Sequence, residues 1–203
     1  MMRSKSLAFL LVLLFLPAVL SASEVHEAAK TGDLEKLRSL LDKDQSLLYV
    51  QDEQGKTPLH WATGRGQLEA MRLLLDTYRV DVNVRNKNNG TPVHVAASQA
   101  QPQALEILLR HNAIVDARAK DGATPLHFAA FKRKAGHLEA ARILLEHKAD
   151  VNARMDNGAT PLALALHNGN TEMATLLRKW GAKGSKGQGV RQSRTSGLPA
   201  DIE

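Results

Sequence analysis

The sequence contains no cysteine, so neither a disulfide nor a thiolate metal site can hold this chain together. Aromatic residues make up only 4% of it, and the apolar run at residues 7–16 is ten residues long. Counted on to Leu20, the run reaches 14 residues, whereas a transmembrane helix needs about 18 or more. Motifs for a serine or cysteine nucleophile, an HExxH metal site and a glycine-rich dinucleotide loop are also missing. We therefore expect one soluble folded unit that is not an enzyme.

The apolar run at the N-terminus has the flanks of a secretory signal peptide. Arg3 and Lys5 precede it and small residues follow it, which predicts a signal peptide over residues 1–23, cleaved after Ser21 or Ser23. Removal of the two basic residues lowers the net charge from +6 to +4, which is too small to indicate nucleic-acid binding. The sequence therefore predicts export, either to a periplasm or as a secreted protein that acts on another cell.

A tetrapeptide recurs along the rest of the chain at nearly constant spacing. It begins at Thr57, Thr91 and Thr124 as Thr-Pro-(Leu or Val)-His, and returns in altered form at Thr160, so the steps are 34, 33 and 36 residues. A weaker copy begins at Ser23, 34 residues before the first full one. Threonine caps a helix and proline suits its first position, while leucines at helical spacing mark a second helix. The pattern predicts five helix-turn-helix units joined by turns that contain Asn-Gly or Asp-Gly.

Repeats of this length with a T-P-L-H-x-A motif resemble the ankyrin-repeat family. The resemblance covers residues 24–183 and includes "GHLEAARILLEHKADVNA" in the fourth unit. It implies an all-α solenoid of stacked units that start near residues 23, 57, 91, 124 and 160, with hairpin fingers and a concave face that binds proteins. Thr171 and Arg178 in the last unit, and Glu27 in the first, replace core residues, which predicts a capped array. Residues 184–203 are predicted to be a disordered tail because they are rich in glycine and serine.

The turn between the two helices of each unit is expected to need a left-handed residue. Glycine adopts that conformation most cheaply, and Gly32, Gly66, Gly136 and Gly169 occupy the position. The third unit has Ala100 there instead. Because alanine costs about 1–2 kcal/mol in a left-handed conformation, we expect that turn to adopt another geometry.

The fourth unit carries three extra residues, Lys132, Arg133 and Lys134, since its step is 36 residues where 33 is usual. Three residues approach one helical turn of about 3.6, so either the first helix is longer or the loop after it is. Both alternatives place three cations at the rim of the presumed binding face, where they could meet an acidic patch on a partner; a tolerated surface insertion is the other interpretation. The candidate partner-binding residues are Arg65, Lys87, Lys120, Phe131, Lys132, Arg133 and Lys134.

Other finger positions are not dictated by the scaffold and are treated as exposed. They include Asp52, Glu53, Lys56 and Asn86.

Histidine recurs in the motif at His26, His60, His94 and His127. Neighbouring helices pack about 8–10 Å apart, so parallel side chains at that spacing cannot converge on one metal ion with bonds near 2.0–2.1 Å. The family resemblance implies instead that each histidine bonds the threonine of its own motif and a backbone carbonyl of the next finger. The alternative is a metal-dependent or enzymatic function, which would have to use the histidines outside the motif: His111, His137, His147 and His167.

The partner expected from these observations is an unidentified protein bound by a monomer. No cofactor, metal ion, nucleic acid or stable membrane insertion after signal cleavage is expected.

Overall fold

The computed structural model describes residues 21–184, and within that range it contains ten α-helices and no strand. The predicted tail beyond Gly184 and the first 20 residues of the predicted signal peptide lie outside the described residues. The helices form five pairs: α1 (residues 21–31) with α2 (Leu34–Lys43), α3 (Pro58–Gly64) with α4 (Leu68–Arg72), α5 (Pro92–Ser98) with α6 (Pro102–Arg110), α7 (Pro125–Phe131) with α8 (Ala135–Glu146), and α9 (Pro161–His167) with α10 (Thr171–Lys179).

The pairs stack so that the helices form two layers. The first helices α3, α5, α7 and α9 pack side by side, and the second helices α4, α6, α8 and α10 form the other layer. Equivalent leucines in this second layer, three of them in helices and one in the turn that continues α4, are fully buried, and each stabilises the fold by about 2 kcal/mol relative to an exposed leucine. These leucines are Leu74, Leu108, Leu144 and Leu177. The predicted all-α solenoid of five units is confirmed.

The first helices of the second to fifth units begin as the motif predicts. Thr57, Thr91 and Thr124 stand in extended conformation before a proline at the first helical position, and each forms a capping box with the histidine three residues later. In the last unit Thr160 Oγ1 accepts from the backbone N–H of Ala163, so the cap survives without the histidine.

The turns between the helices differ from the prediction at two positions. Gly32, Gly66 and Gly169 are left-handed as expected, with φ of 78°, 67° and 64°, but Ala100 is left-handed too, with φ of 56°. The expectation that alanine would force another geometry is therefore wrong, because the same packing of helices is imposed on this turn as on its neighbours. Gly136 lies inside α8 and not at a turn. A Cβ on it would lie 2.9 Å from the Cβ of Ala100, so glycine is required there by close approach of two units.

The insertion in the fourth unit lengthens the loop and the second helix. Helix α7 has seven residues, as α3 and α5 have, so the alternative in which the first helix extends is wrong. Lys132 and Lys134 are extended, with ψ of 157° and 149°, and α8 then runs for 12 residues. Residues 132–134 thus separate the two helices as a short extended segment that displaces the turn from the stack.

The one-residue difference between steps of 34 and 33 also has a structural cause. In the second unit, α4 continues as a π-helical turn, Leu73–Thr77, which absorbs one extra residue without disturbing the stack.

Candidate protein-binding surface

The motif histidines are structural. In His60, His94 and His127, Nδ1 accepts from the backbone N–H of the threonine that opens the motif, at 3.1–3.2 Å. Nε2 therefore carries the proton and donates to a carbonyl of the next finger at 3.1–3.2 Å; the acceptors are Gly90, Ala123 and Ala159. His26 Nε2 bonds the carbonyl of Val50 at 3.0 Å, which is not the carbonyl directly before the next motif threonine that the other three histidines use. The role implied by the family resemblance is confirmed for His60, His94 and His127.

Burial lowers the pKa of His60, His94 and His127 from 6.5 to about 4, because the charged imidazolium would lose its hydration. These side chains are neutral at pH 7 and each links two successive units.

The histidines outside the motif do not assemble into a site. His137 is buried in α8, where Nε2 donates to the carbonyl of Ser98 at 2.9 Å, and His147 bonds the carbonyl of Ile143. His111 lies between the carbonyl of Ile107 and the carboxylate of Asp76, 35 residues away in sequence. Among residues 21–184, no group of three or more histidine, aspartate or glutamate side chains is placed to hold a metal ion. The structure thus offers the rival metal-dependent function no assembled ligand set in this part of the chain.

The two predicted finger residues lie in one row. The Nζ of Lys87 donates to the carbonyl of Glu53 at 2.7 Å, and the backbone N–H of Lys120 donates to the carbonyl of Asn88 at 2.8 Å. Both side chains are exposed. Successive fingers are therefore bonded to one another, which fixes the spacing at which they present side chains.

Two finger residues expected to be exposed have structural roles instead, and a third finger residue is buried. The side-chain oxygen of Asp52 accepts from the backbone N–H of Gln54 and of Lys56, and that of Asn86 accepts from Asn88 and Gly90. These bonds hold the finger turns in shape. Asn86 and Lys56 are buried, so the expectation that they are exposed is wrong.

The remaining predicted residues lie at the other end of the first helices. Arg65 caps the C-terminal end of α3. Residues 131–134, which we call the basic turn, consist of the last residue of α7 and the three residues that follow it. Arg133 and Lys134 are exposed, and neither forms an ion pair with another residue in the described part of the chain. Four of the predicted binding residues thus form the basic turn. A whole unit separates this turn from Arg65, and the length of the first helix separates it from Lys87 and Lys120, which we call the finger row.

The basic turn is anchored to the last unit through its backbone. The side-chain amide of Asn168 donates to the carbonyl of Phe131 at 2.6 Å, and that of Asn170 donates to the carbonyl of Lys132 at 3.0 Å. Phe131 and Lys132 are half-buried, while the two residues after them are not. The anchor holds the extended segment in place and leaves its outer cations in solvent.

Sequence reasoning missed Trp61, which lies in α3 one turn before Arg65. Its half-buried ring is surrounded by cations: the Nζ of Lys56 lies 4.9 Å from the ring centroid, that of Lys30 lies 5.6 Å away, and the Cζ of Arg65 lies 6.0 Å away. The indole Nε1–H donates to Asp52 at 2.9 Å. The signal in the sequence was a tryptophan directly after the motif histidine, where the third and fifth units have valine and leucine.

Among residues 21–184, no helix is both long enough and apolar enough to cross a bilayer.

Comparison with known proteins gives one result. The family model for ankyrin repeats matches three overlapping segments, residues 25–119, 78–155 and 114–187. No curated protein matches the chain. Together the segments cover most of the sequence and coincide with the five helix pairs. The chain therefore belongs to the ankyrin-repeat family, whose domains typically mediate protein–protein interactions and are generally non-catalytic.

Proposed function

We propose that this protein is an exported, non-catalytic module that binds a protein partner through its concave face of fingers and first helices. The observation that carries the proposal is the basic turn. Its backbone is fixed by Asn168 and Asn170, yet Arg133 and Lys134 extend into solvent without an ion pair to any described residue. These two cations are fixed in place and exposed, and the fold itself does not use them. They are complementary to an acidic patch on a partner.

The half-buried Phe131 adds an apolar contact beside these charges. Energetically important interface residues are often aromatic or arginine side chains, surrounded by contacts that exclude water. A partner that reaches the basic turn can therefore cover Phe131 and pair with the cations at the same time.

The finger row would extend this surface. Lys87 and Lys120 present ammonium groups at successive fingers whose backbones are bonded to one another. A rigid row binds with less loss of conformational entropy than mobile loops would.

Export is supported by the sequence of the first 23 residues. The test is the intact mass of the protein recovered from outside the cytoplasm. A mature N-terminus at Ala22 or Glu24 supports export, and retention of Met1 or Met2 would contradict it. Fractionation then separates a periplasmic protein from one released to act on another cell.

The binding proposal is tested by crosslinking the mature protein in its native compartment at low and high salt, with identification of what co-purifies. The informative variant is K132A/R133A/K134A, which removes the cations of the basic turn. It should fold normally while its partner is captured less efficiently and with weaker salt dependence.

The matched control is R72A/R110A/R142A, which removes the same number of charges from exposed positions on α4, α6 and α8. Those arginines pair with glutamates of their own helices, so their loss should not affect capture. Equal capture by both triple variants would show that the basic turn is only a tolerated insertion. Reproducible recovery of no partner at all would count against the whole proposal.

A further inference from the structure

A second cationic site lies in the first two units, around Trp61. We call Lys30, Lys56, Trp61 and Arg65 the tryptophan cluster. It draws its members from three elements: Lys30 lies in α1, Lys56 in the first finger, and Trp61 in α3 with Arg65 at its end. Cations within about 6 Å of an indole ring are attracted to its face, so the ring holds the three long side chains close together.

The acids near this cluster are already engaged. Glu27 pairs with Lys30 at 3.1 Å, and Asp52 bonds two backbone amides of the finger turn as well as the indole N–H. Arg65 is exposed and has no ion pair among the described residues. The cluster therefore presents a guanidinium group that the fold does not neutralise.

The tryptophan cluster and the basic turn occupy equivalent places in the stack. Arg65 caps α3 and Lys132 caps α7, and the helix between them, α5, packs against both. The intervening turn of the third unit carries Gln99 and Ala100, which are uncharged. The rim of the concave face thus has two positively charged positions with a neutral gap between them.

We infer that these two positions bind one extended acidic segment of the protein partner, an inference that rests on the proposed function. Helices packed side by side lie about 8–10 Å apart, so two steps separate the positions by about 16–20 Å. An extended chain rises about 3.3 Å per residue, so about five or six residues span that distance. The segment carries two groups of acidic residues at that separation, one for Arg65 and one for Arg133 and Lys134.

The surroundings of Trp61 favour carboxylates over nucleic acid as the ligand. Proteins that bind single-stranded nucleic acid stack bases on open aromatic faces. The Trp61 ring is half-buried, is tethered by Asp52 at its N–H and has cationic side chains close to it. The cations around the ring can therefore attract an anion, whereas the ring has no open face on which a base could stack.

The experiment uses the full mature chain with W180F, which removes the exposed tryptophan of the last unit and leaves Trp61 as the sole tryptophan, so that selective tryptophan excitation reports on it alone. The probe is a blocked synthetic peptide in which two pairs of glutamate flank a spacer of about four glycine and serine residues, chosen for the span above. A second peptide of the same composition has its glutamates adjacent. Trp61 fluorescence should change saturably with the spaced peptide, and the adjacent peptide should bind several-fold more weakly.

Two changes in the protein locate the contacts. R65A should weaken the spaced peptide about three- to fivefold, as expected for one exposed ion pair, and K132A/R133A/K134A should weaken it about tenfold or more. R72A, which removes an exposed arginine from α4, should leave the Kd unchanged.

Three outcomes would overturn the inference. They are equal affinity for the two peptides, no greater effect of R65A than of R72A, and tighter binding of a short oligothymidine of matched charge than of the spaced peptide. If any of these occurred while crosslinking still captured a salt-sensitive partner, the inference would fall and the proposed function would stand. If neither peptide nor partner bound, both would fall.

Discussion

Acidification should unfold this protein through its motif histidines. His60, His94 and His127 have a pKa of about 4 in the folded chain because they are buried, and an ordinary value of 6.5 when exposed. Between those two values the unfolded chain binds more protons than the folded chain does. The stability that depends on these neutral histidines is therefore present above pH 6.5 and is lost as the pH falls toward 4.

The size of the effect follows from the same two values. At pH 5 each unfolded imidazole is almost fully protonated and each folded one is almost neutral, which costs about 2 kcal/mol per histidine relative to pH 7.5. Three such residues give a loss of about 6 kcal/mol, which is comparable to the whole stability of many domains, about 5–15 kcal/mol.

Urea unfolding followed by circular dichroism at several pH values measures this dependence. Near pH 5 the free energy of unfolding should change by about 3–4 kcal/mol per pH unit, since each histidine contributes slightly less than the limit of about 1.4 kcal/mol. In H60Q that slope should fall by about one third, whatever the variant's absolute stability.

A flat profile between pH 7 and 5 would refute the reasoning. So would nuclear magnetic resonance titration of the folded protein if the three imidazoles took up protons near pH 6.5. Either result would mean that the buried contacts to the next finger do not exclude the charged form.

Three further predictions concern single positions. The hydroxyl of Thr63 is fully buried and has no hydrogen-bond partner among the described residues, so T63V, which keeps its shape, should raise the free energy of unfolding by about 1 kcal/mol; no gain would mean that the hydroxyl is bonded. A100G should stabilise by about 0.5–1 kcal/mol, the left-handed cost of alanine less the chain entropy of glycine, and a loss in urea unfolding would contradict this. The carbonyl of Ile107 and the carboxylate of Asp76 raise the pKa of His111, so their stabilisation is present below pH 6.5 and is lost as the pH rises through the raised value. D76N should lower that pKa in an imidazole titration, and an unchanged value would show that Asp76 does not contribute.

The parts of the fold that repeat could be predicted from the sequence, because each was visible several times. The caps at Thr57, Thr91 and Thr124 and the buried leucines of the second layer recur at nearly constant spacing, so each unit supported the interpretation of the others. The errors fell where one unit departs from the others. Gly136 was assigned by alignment to a turn, but the inserted residues moved the start of α8 and left it inside a helix.

Ala100 and Gly136 show why such departures resist prediction from a single unit. A left-handed alanine is unfavourable when its turn is considered alone, but hydrogen bonds to the units on both sides fix this turn. Gln101 donates to the carbonyl of Gly64 in the preceding unit, and His137 of the following unit donates to the carbonyl of Ser98. The alanine side chain then occupies space that a residue larger than glycine at position 136 would need. The pair is one feature shared by two units, so its two members could not be interpreted separately.

The tryptophan cluster was hidden for a related reason. Trp61 and Arg65 are one helical turn apart and Lys56 directly precedes the motif of the same unit, but Lys30 belongs to the preceding unit, and no spacing in the sequence places it beside the ring. Each of them alone has the ordinary character of a surface residue or a position in the motif. Only the stacking of the first two units brings Lys30 to the same indole ring as Lys56 and Arg65, and the binding surface proposed above depends on that stacking. The scaffold of this repeat protein can therefore be inferred from the sequence of a single unit. The residues proposed to determine its specificity contact one another across units, at positions where the sequence is least periodic.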